Sequence, residues 1–402
     1  MNVFVFNAGS SSVKAAYFEG HGTASQTSDA DWSAEVRWTE LPARAELRWQ
    51  SAHDAGSSTV SVDEHGSAAT ALLAAANGTF GIAPDIVGHR VVHGLSESQP
   101  SMVDARIRAL IEAAAELAPL HNRAALAGID AVAAELPAVL QAAMFDTAFH
   151  TTLEPAAAAY ALPYDWFATR GIRRYGFHGI SHQYCASRTA EILQRDPAQL
   201  RLVSAHLGNG CSLAAIAHGR SVDTTMGFTP LDGLMMGSRS GSIDPGLVLH
   251  LIRSGAYSAA DLDAVLNMQS GLKGVSQRSE DIRDVIAAAG RGDAQAQLAL
   301  DMYVRRLSAG IAAMVAALGG IDALSFTGGV GEHSAYVRER VCAQLAFLGV
   351  ALDPSAAGAG DREIGVRGAA VRVAIVQARE EYAIARAVAQ LVAREPRAAS
   401  TR

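Results

Sequence analysis

Three Gly-rich stretches, FNAGSSSVK at 6–14, HLGNGCS at 206–212 and FTGGVGEH at 326–333, each follow directly on an apolar run. Backbone N–H groups that converge in such loops form nests for anions, and a nucleoside triphosphate needs several of them. One Gly-rich turn says little, because glycine serves wherever φ must be positive. Three in one chain point to phosphate. There is no GxxxxGK[ST] loop and no GxGxxG opening a helix, which disfavours the two commonest nucleotide folds.

Charged groups sit in four further stretches. Arg90, in GHRVVHG at 88–94, lies between apolar flanks and needs an anionic partner if buried, whereas His93 beside it reads as a solvated strand end. Asp146, in FDTAFH, stands at the end of an apolar strand, where either a catalytic carboxylate or a helix N-cap is at home. RRYGFHGISH at 173–182 gathers two arginines and two histidines among glycines and reads as an anion site. MMGSRSGSIDPG at 235–246 is a polar loop whose Arg239 is either a surface charge or a supplier of charge to a phosphoryl transition state.

The elements that must hold these groups are α/β in pattern. Residues 2–6 read as a buried strand and 13–18 as its hairpin partner, so the first loop joins two strands. Residues 20–80 show sparse alternation that predicts short strands with exposed connections. Helical spacing follows from Asp104, through ARIRALIEAAAEL and AALAGIDAVAAEL with Pro119 between them, and then a strand at 142–147. The pattern then restarts: RLVSAHLGNGCSLAAIAHG at 201–219 aligns without a gap on VFVFNAGSSSVKAAYFEG, setting Asn7 on His206, Gly9 on Gly208 and Ser10 on Asn209. Two strand-loop-strand units about 200 residues apart imply a duplicated domain. Helices dominate the remainder, interrupted by a strand at 323–327 running into a Gly-rich turn. The fold expected is α/β with two duplicated actin-like (ribonuclease H-like) domains and an interdomain nucleotide cleft.

Composition agrees. The chain has 402 residues, 50% of them hydrophobic, enough for two cores. A formal net charge of −7 supplies no general attraction for nucleic acid or an anionic membrane. The three cysteines, Cys185, Cys211 and Cys342, show neither disulfide nor zinc spacing, which fits a reducing cytoplasm. No signal-peptide core forms before polar Asn7, and the most apolar helical stretch, around 307–321, is shorter than a membrane span.

The chain resembles the acetokinase family of the actin-like ATPase superfamily. The matching segments are FNAGSSSVK, GHRVVHG, APLHN, FDTAFH, RRYGFHGISH, HLGNGCS, TTMGFTPLDGLMMGSRSG, SGLKGVS, FTGGVGEH and EEYAIAR, in family order from residue 6 to 386. The resemblance implies reversible transfer of the ATP γ-phosphate to acetate, with propionate or butyrate as alternative acceptors and a non-enzymatic actin-like ATPase switch as a more distant one. It implies domains at 1–148, completed by 383–402, and at 149–382. It sets Asn7 and Glu380 near Mg²⁺, for which Mn²⁺ can substitute. ATP falls to Ser10, Ser12 and Lys14, to His206, Leu207, Gly208, Asn209 and Gly210, to Asp281, Ile282 and Arg283, and to Gly329, Val330, Gly331, Glu332 and His333. Arg90, Val92, Leu120, Phe177 and Pro230 fall on the acyl substrate. Asp146, His178 and Arg239 fall on catalysis. A homodimer is also implied. The sequence departs from the family pattern at His333, Arg123, Ser242 and the Gln377-Ala378-Arg379 run before Glu380.

Overall fold

The computed structural model describes residues 1–9, 12–20, 29–39 and 44–394. Ser10 lies outside the described residues, as does the side chain of Leu120. The chain divides into two compact units, Met1–Ala148 with the segment from Arg379, and Phe149–Ala378. Each is built on one mixed sheet, so the α/β expectation holds.

The first sheet holds β1 (Val3–Ala8), β2 (Ser12–Phe18), β3 (Trp32–Trp38), β4 (Arg44–Ser51), β5 (Ala55–Ser61), β6 (Ile86–Val91), β7 (Ser101–Met102) and β8 (Leu140–Phe145) in the order β5-β4-β3-β2-β1-β6-β8-β7. β1 pairs antiparallel with β2 and parallel with β6, and β6 pairs parallel with β8. Side chains alternate across a sheet. Phe4 and Phe6 of β1 therefore join one core with Tyr17, Trp32, Leu72 and Val132, and Phe6 stacks on His89. Val5 and Asn7 face the other way, with Gly88 and Arg90. A Cβ on Gly88 would come within 2.8 Å of Ile384, so glycine lets the helix Glu380–Arg394 lie on β6.

One sequence expectation is corrected here. Residues His65–Thr79 form a helix, not a strand: Ala68, Ala69, Leu72, Leu73 and Ala76 recur at helical spacing, and Glu64 and Ser67 cap its start reciprocally. Pro119 stands between two helices as expected and is the first residue of the second, Pro119–Glu135, where its missing N–H costs nothing.

The second sheet holds β9 (Arg201–Leu207), β10 (Cys211–Ala217), β11 (Arg220–Thr224), β12 (Ala323–Thr327), β13 (Arg362–Glu363) and β14 (Arg372–Ile375) in the order β11-β10-β9-β12-β14-β13. β9 pairs antiparallel with β10 and parallel with β12, and β12 pairs parallel with β14. This repeats the pattern of β3-β2-β1-β6-β8-β7 strand for strand, down to the antiparallel last member. The Gly-rich turn after β12 is a short helix, Gly328–His333. Among the described residues no helix is long and apolar enough to cross a membrane, and the three cysteines are free and buried.

His93 is buried, not solvated, and its Nδ1 accepts from the Leu95 N–H at 3.1 Å. Burial lowers the pKa of His89, His93 and His150 to about 4 each. Below about pH 6.5 the unfolded chain takes up protons that the folded chain refuses, so stability falls as pH drops toward 4, by up to about 1.4 kcal/mol per pH unit for each ring. The thermal midpoint is expected to decline from pH 7 to pH 5; a midpoint constant across that window would mean that these rings are protonated in the fold.

Candidate active site

In the first unit the polar groups gather where β1, β6 and β8 end. Arg90 is the hub. Its Nε donates to Asp146 Oδ1 at 3.1 Å and its NH2 to Asp146 Oδ2 at 2.6 Å, while its NH1 donates to Asn7 Oδ1 at 2.9 Å. Asn7 Nδ2 in turn donates to Glu381 Oε1 at 2.8 Å and Glu380 Oε2 at 3.2 Å. Burial works against the charge of Arg90, yet Asp146 and Glu380 outweigh it and hold the guanidinium's pKa above its ordinary value. Burial pushes the Asp146 carboxyl up and Arg90 pulls it back.

The surrounding backbone is held as firmly. The Gly9 N–H donates to Ser12 O at 2.8 Å, tightening the first loop, and the Gly9 carbonyl meets His65 Nε2 at 3.0 Å. Lys14 lies opposite Asn7 in the hairpin and is exposed. Val92 is buried just beyond Arg90. Its neighbour His93 is clamped by buried Asn122, whose Oδ1 accepts the His93 N–H at 3.0 Å and whose Nδ2 donates to the His93 carbonyl at 2.9 Å.

In the second unit His178 takes φ +55° at the head of the helix Gly179–Leu193. Its Nδ1 lies 2.9 Å from Ser212 Oγ, and its ring stacks on His206 with centroids 4.3 Å apart. A Cβ on Gly210 would sit 3.4 Å from His178 Nε2 and 3.8 Å from Arg239 NH1, so both groups border the Gly208–Gly210 loop. Arg239 NH1 donates to the Pro230 carbonyl at 3.2 Å, and among the described residues Arg239 has no ion pair. Burial lowers its pKa. Phe177 is buried and Pro230 half-buried.

The 235–246 loop is fastened to the LGNG loop: the Gly237 N–H donates to the Asn209 carbonyl at 3.0 Å, and a Cβ at Gly237 would overlap Asn209 Oδ1. Asp281 caps the helix Ile282–Gly290 and pairs with Arg283, which lowers its pKa. Glu332 accepts the Ala378 N–H at 2.8 Å, and buried Arg338 donates to the Gly331 and Glu332 carbonyls at 2.7 and 2.8 Å.

Residues 2–386 match the model of the Acetokinase family. The chain belongs to the acetokinase family. Curated relatives include the acetate kinase of Trichormus variabilis, 48% identical over 96% of this chain and 98% of that one, and that of Gloeobacter violaceus, with the same identity and coverage. Among solved structures, the acetate kinase of Porphyromonas gingivalis superposes with a TM-score of 0.88 at 37% identity, over 97% of this chain and 99% of that one. A propionate kinase from Francisella tularensis gives 0.89 at 33% identity, over 96% and 98%.

For this family member, the first unit brings together Asn7, Arg90, Asp146 and Glu380, and the second brings together His178, His206, the Gly208–Gly210 loop, Arg239 and Pro230. Asp281 and Arg283 engage each other, and the His333 side chain is largely exposed. The sequence reading did not single out Asn122, Ser212 or Arg338. Each is a buried polar side chain within or near a matched motif, and burial is the one signal that sequence cannot supply. Gly237→Ala is expected to displace Asn209 and raise the KM for ATP at least tenfold, since an overlapping Cβ forces one of the loops to move. An unchanged KM would show that Asn209 is dispensable for nucleotide binding.

Proposed function

We propose that this protein is an acetate kinase, transferring the γ-phosphoryl group of ATP to acetate to give acetyl phosphate and ADP, reversibly and by direct in-line displacement. The observation that carries the reading is Arg239, half-buried without a carboxylate partner among the described residues, beside the Nε2 edge of His178 and a Gly-rich loop. A guanidinium without a carboxylate partner has N–H donors suited to an anionic oxygen.

Acetate, with a pKa of about 4 to 5, is ionised at neutral pH, so the attacking oxygen needs no general base. The difficulty is bringing one anion to another. In this reading Arg90 orients the carboxylate, Arg239 and His178 take up charge on the equatorial phosphoryl oxygens, and Asp146 holds Arg90 in place without receiving a proton. The Gly208–Gly210 loop and Lys14 serve the phosphates, and the Gly329–His333 segment serves the base. Val92, Phe177 and Pro230 supply apolar contact for the methyl group.

Glu380 and Glu381 offer the hard carboxylate oxygens that suit Mg²⁺ or Mn²⁺, which usually takes one or two carboxylates together with phosphate oxygens, while Asn7 turns its amide nitrogen to both of them and its Oδ1 to Arg90. Bound there, the ion neutralises phosphate charge. Asn7, held by Arg90 on one side and both glutamates on the other, sets the orientation of these donors.

The close superposition on a propionate kinase favours one competing reading, a longer acid on the same scaffold. ADP release measured with acetate, propionate and butyrate separates the two, since one methylene in an apolar pocket is worth about 10- to 200-fold. Acetate is expected to lead. Arg90→Ala and Arg239→Ala should each lower turnover at least about a hundredfold, the usual consequence of removing a charge donor to a transition state. Release of ADP independent of any acid would reduce the protein to an ATPase switch, and either variant within threefold of wild type would remove that arginine from the mechanism.

A homodimer belongs to the same proposal. The helix Pro245–Arg253 has no buried residue and exposes Leu249 and Ile252 on one side and Leu247 on the other, apolar surface that water penalises and a second copy would cover. Sedimentation should show twice the chain mass for the wild type and a single chain for Leu249→Glu/Ile252→Glu. A double variant that still sediments as a dimer would place the interface elsewhere.

A further inference from the structure

Ser212, at the start of β10, is fully buried, and its Oγ lies 2.9 Å from His178 Nδ1 and 2.8 Å from His182 Nε2. On its far side, His182 Nδ1 lies 2.9 Å from Ser204 Oγ. Four polar groups therefore stand in a row, and every bond in it shares one proton. A hydroxyl can donate to only one of two rings. His182 is uncharged, because burial, with His150 and His206 close by, holds its pKa well below the ordinary value. It therefore carries a single N–H.

Only two polarities satisfy such a row. In the first, Ser204 donates to His182 Nδ1, His182 Nε2–H donates to Ser212, and Ser212 donates to His178 Nδ1. The His178 proton then sits on Nε2, the atom that borders Gly210, as Arg239 NH1 also does. In the second, every bond is reversed. His178 then donates through Nδ1, and its Nε2 carries a proton only if the ring is a cation. The nearby Arg239 guanidinium and the His206 ring stacked at 4.3 Å both disfavour that cation, so a neutral His178 carries a proton on Nε2 only in the first polarity.

We propose that Ser204, His182 and Ser212 form a positioning row that fixes the Nε2–H tautomer of His178, so that this ring donates a hydrogen bond to the transferring phosphoryl group. The proposal rests on His178 acting at that group. The left-handed backbone at His178 and the stacked His206 hold the ring plane, and the row decides which nitrogen bears the proton. Ser212 is thus a positioning residue that touches no substrate.

The test uses the full chain with ¹⁵N-labelled histidine. In the wild type the His178 signals should report protonated Nε2 and unprotonated Nδ1. Ser212→Ala should populate both tautomers and lower kcat about tenfold with KM for ATP unchanged, the effect of losing one positioning hydrogen bond, and Ser212→Thr, which keeps the hydroxyl, should restore both. In a His178→Asn background Ser212→Ala should slow the enzyme no further. A His178 tautomer unaltered by Ser212→Ala, or an equal loss of kcat in the His178→Asn background, overturns the proposal. Failure of the underlying reading looks different: His178→Asn would itself keep wild-type kcat while the tautomer still answered to Ser212, and the row would then have no bearing on transfer.

Discussion

A guanidinium taken out of water has to be answered by charge, and in the first unit that demand organises everything around Arg90. Removing one partner of such a buried pair typically costs about 3 to 5 kcal/mol, because the other is left uncompensated. Asp146 answers Arg90 from the end of β8, Asn7 accepts from it on β1, and Glu380 and Glu381 close the arrangement from the helix Glu380–Arg394. Three strand ends and a helix start are thereby brought to one place. Gly88 has the complementary task, since any side chain there would push the helix carrying the two glutamates off the sheet.

The second unit treats its arginine in the opposite way. Among the described residues Arg239 has no carboxylate partner, and its NH1 donates to the Pro230 carbonyl beside a glycine loop that the stacked His178 and His206 rings also border. The two units share the order of six strands, although Asn7 opposes Lys14 in the first hairpin while His206 opposes Ser212 in the second, a register one residue shorter, and they differ in this respect. At the position where β1 presents Asn7, β9 presents His206, whose Nδ1 pairs with Ser181 at 2.8 Å. A duplicated backbone therefore carries an arginine paired with a carboxylate in one copy and, among the described residues, one without a carboxylate partner in the other. That asymmetry suits a reaction in which one anion is to be oriented and another stabilised.

Much of the scaffold was legible in the chain. The hairpins around FNAGSSSVK and HLGNGCS, the apolar strand before each Gly-rich loop and the long amphipathic helices all rest on spacing within a few residues. The misreadings have a common cause. Residues 65–79 are so rich in alanine that their helical stripe is faint against the alternation that precedes it, and His93 stands among the residues of a solvated turn although Asn122, 29 residues on, draws it into the core.

The sequence by itself determined the strand-loop-strand units, their repetition and the residue types offered at each loop, because backbone conformation and hydrophobic periodicity act over neighbouring residues. It also required that Arg90, if buried, find an anion. Tertiary structure decided which anion. Asp146 stands 56 residues away and Glu380 farther still, and they arrive only through the parallel pairing of β1, β6 and β8 and the return of the final helix. The sharing of one hydroxyl proton between His178 and His182 was decided in the same way, by the seating of β10 against the helix Gly179–Leu193. Hydrogen bonds and buried charge pairs act over a few ångströms, so they belong to the register of the sheet and have no trace in the spacing of the chain.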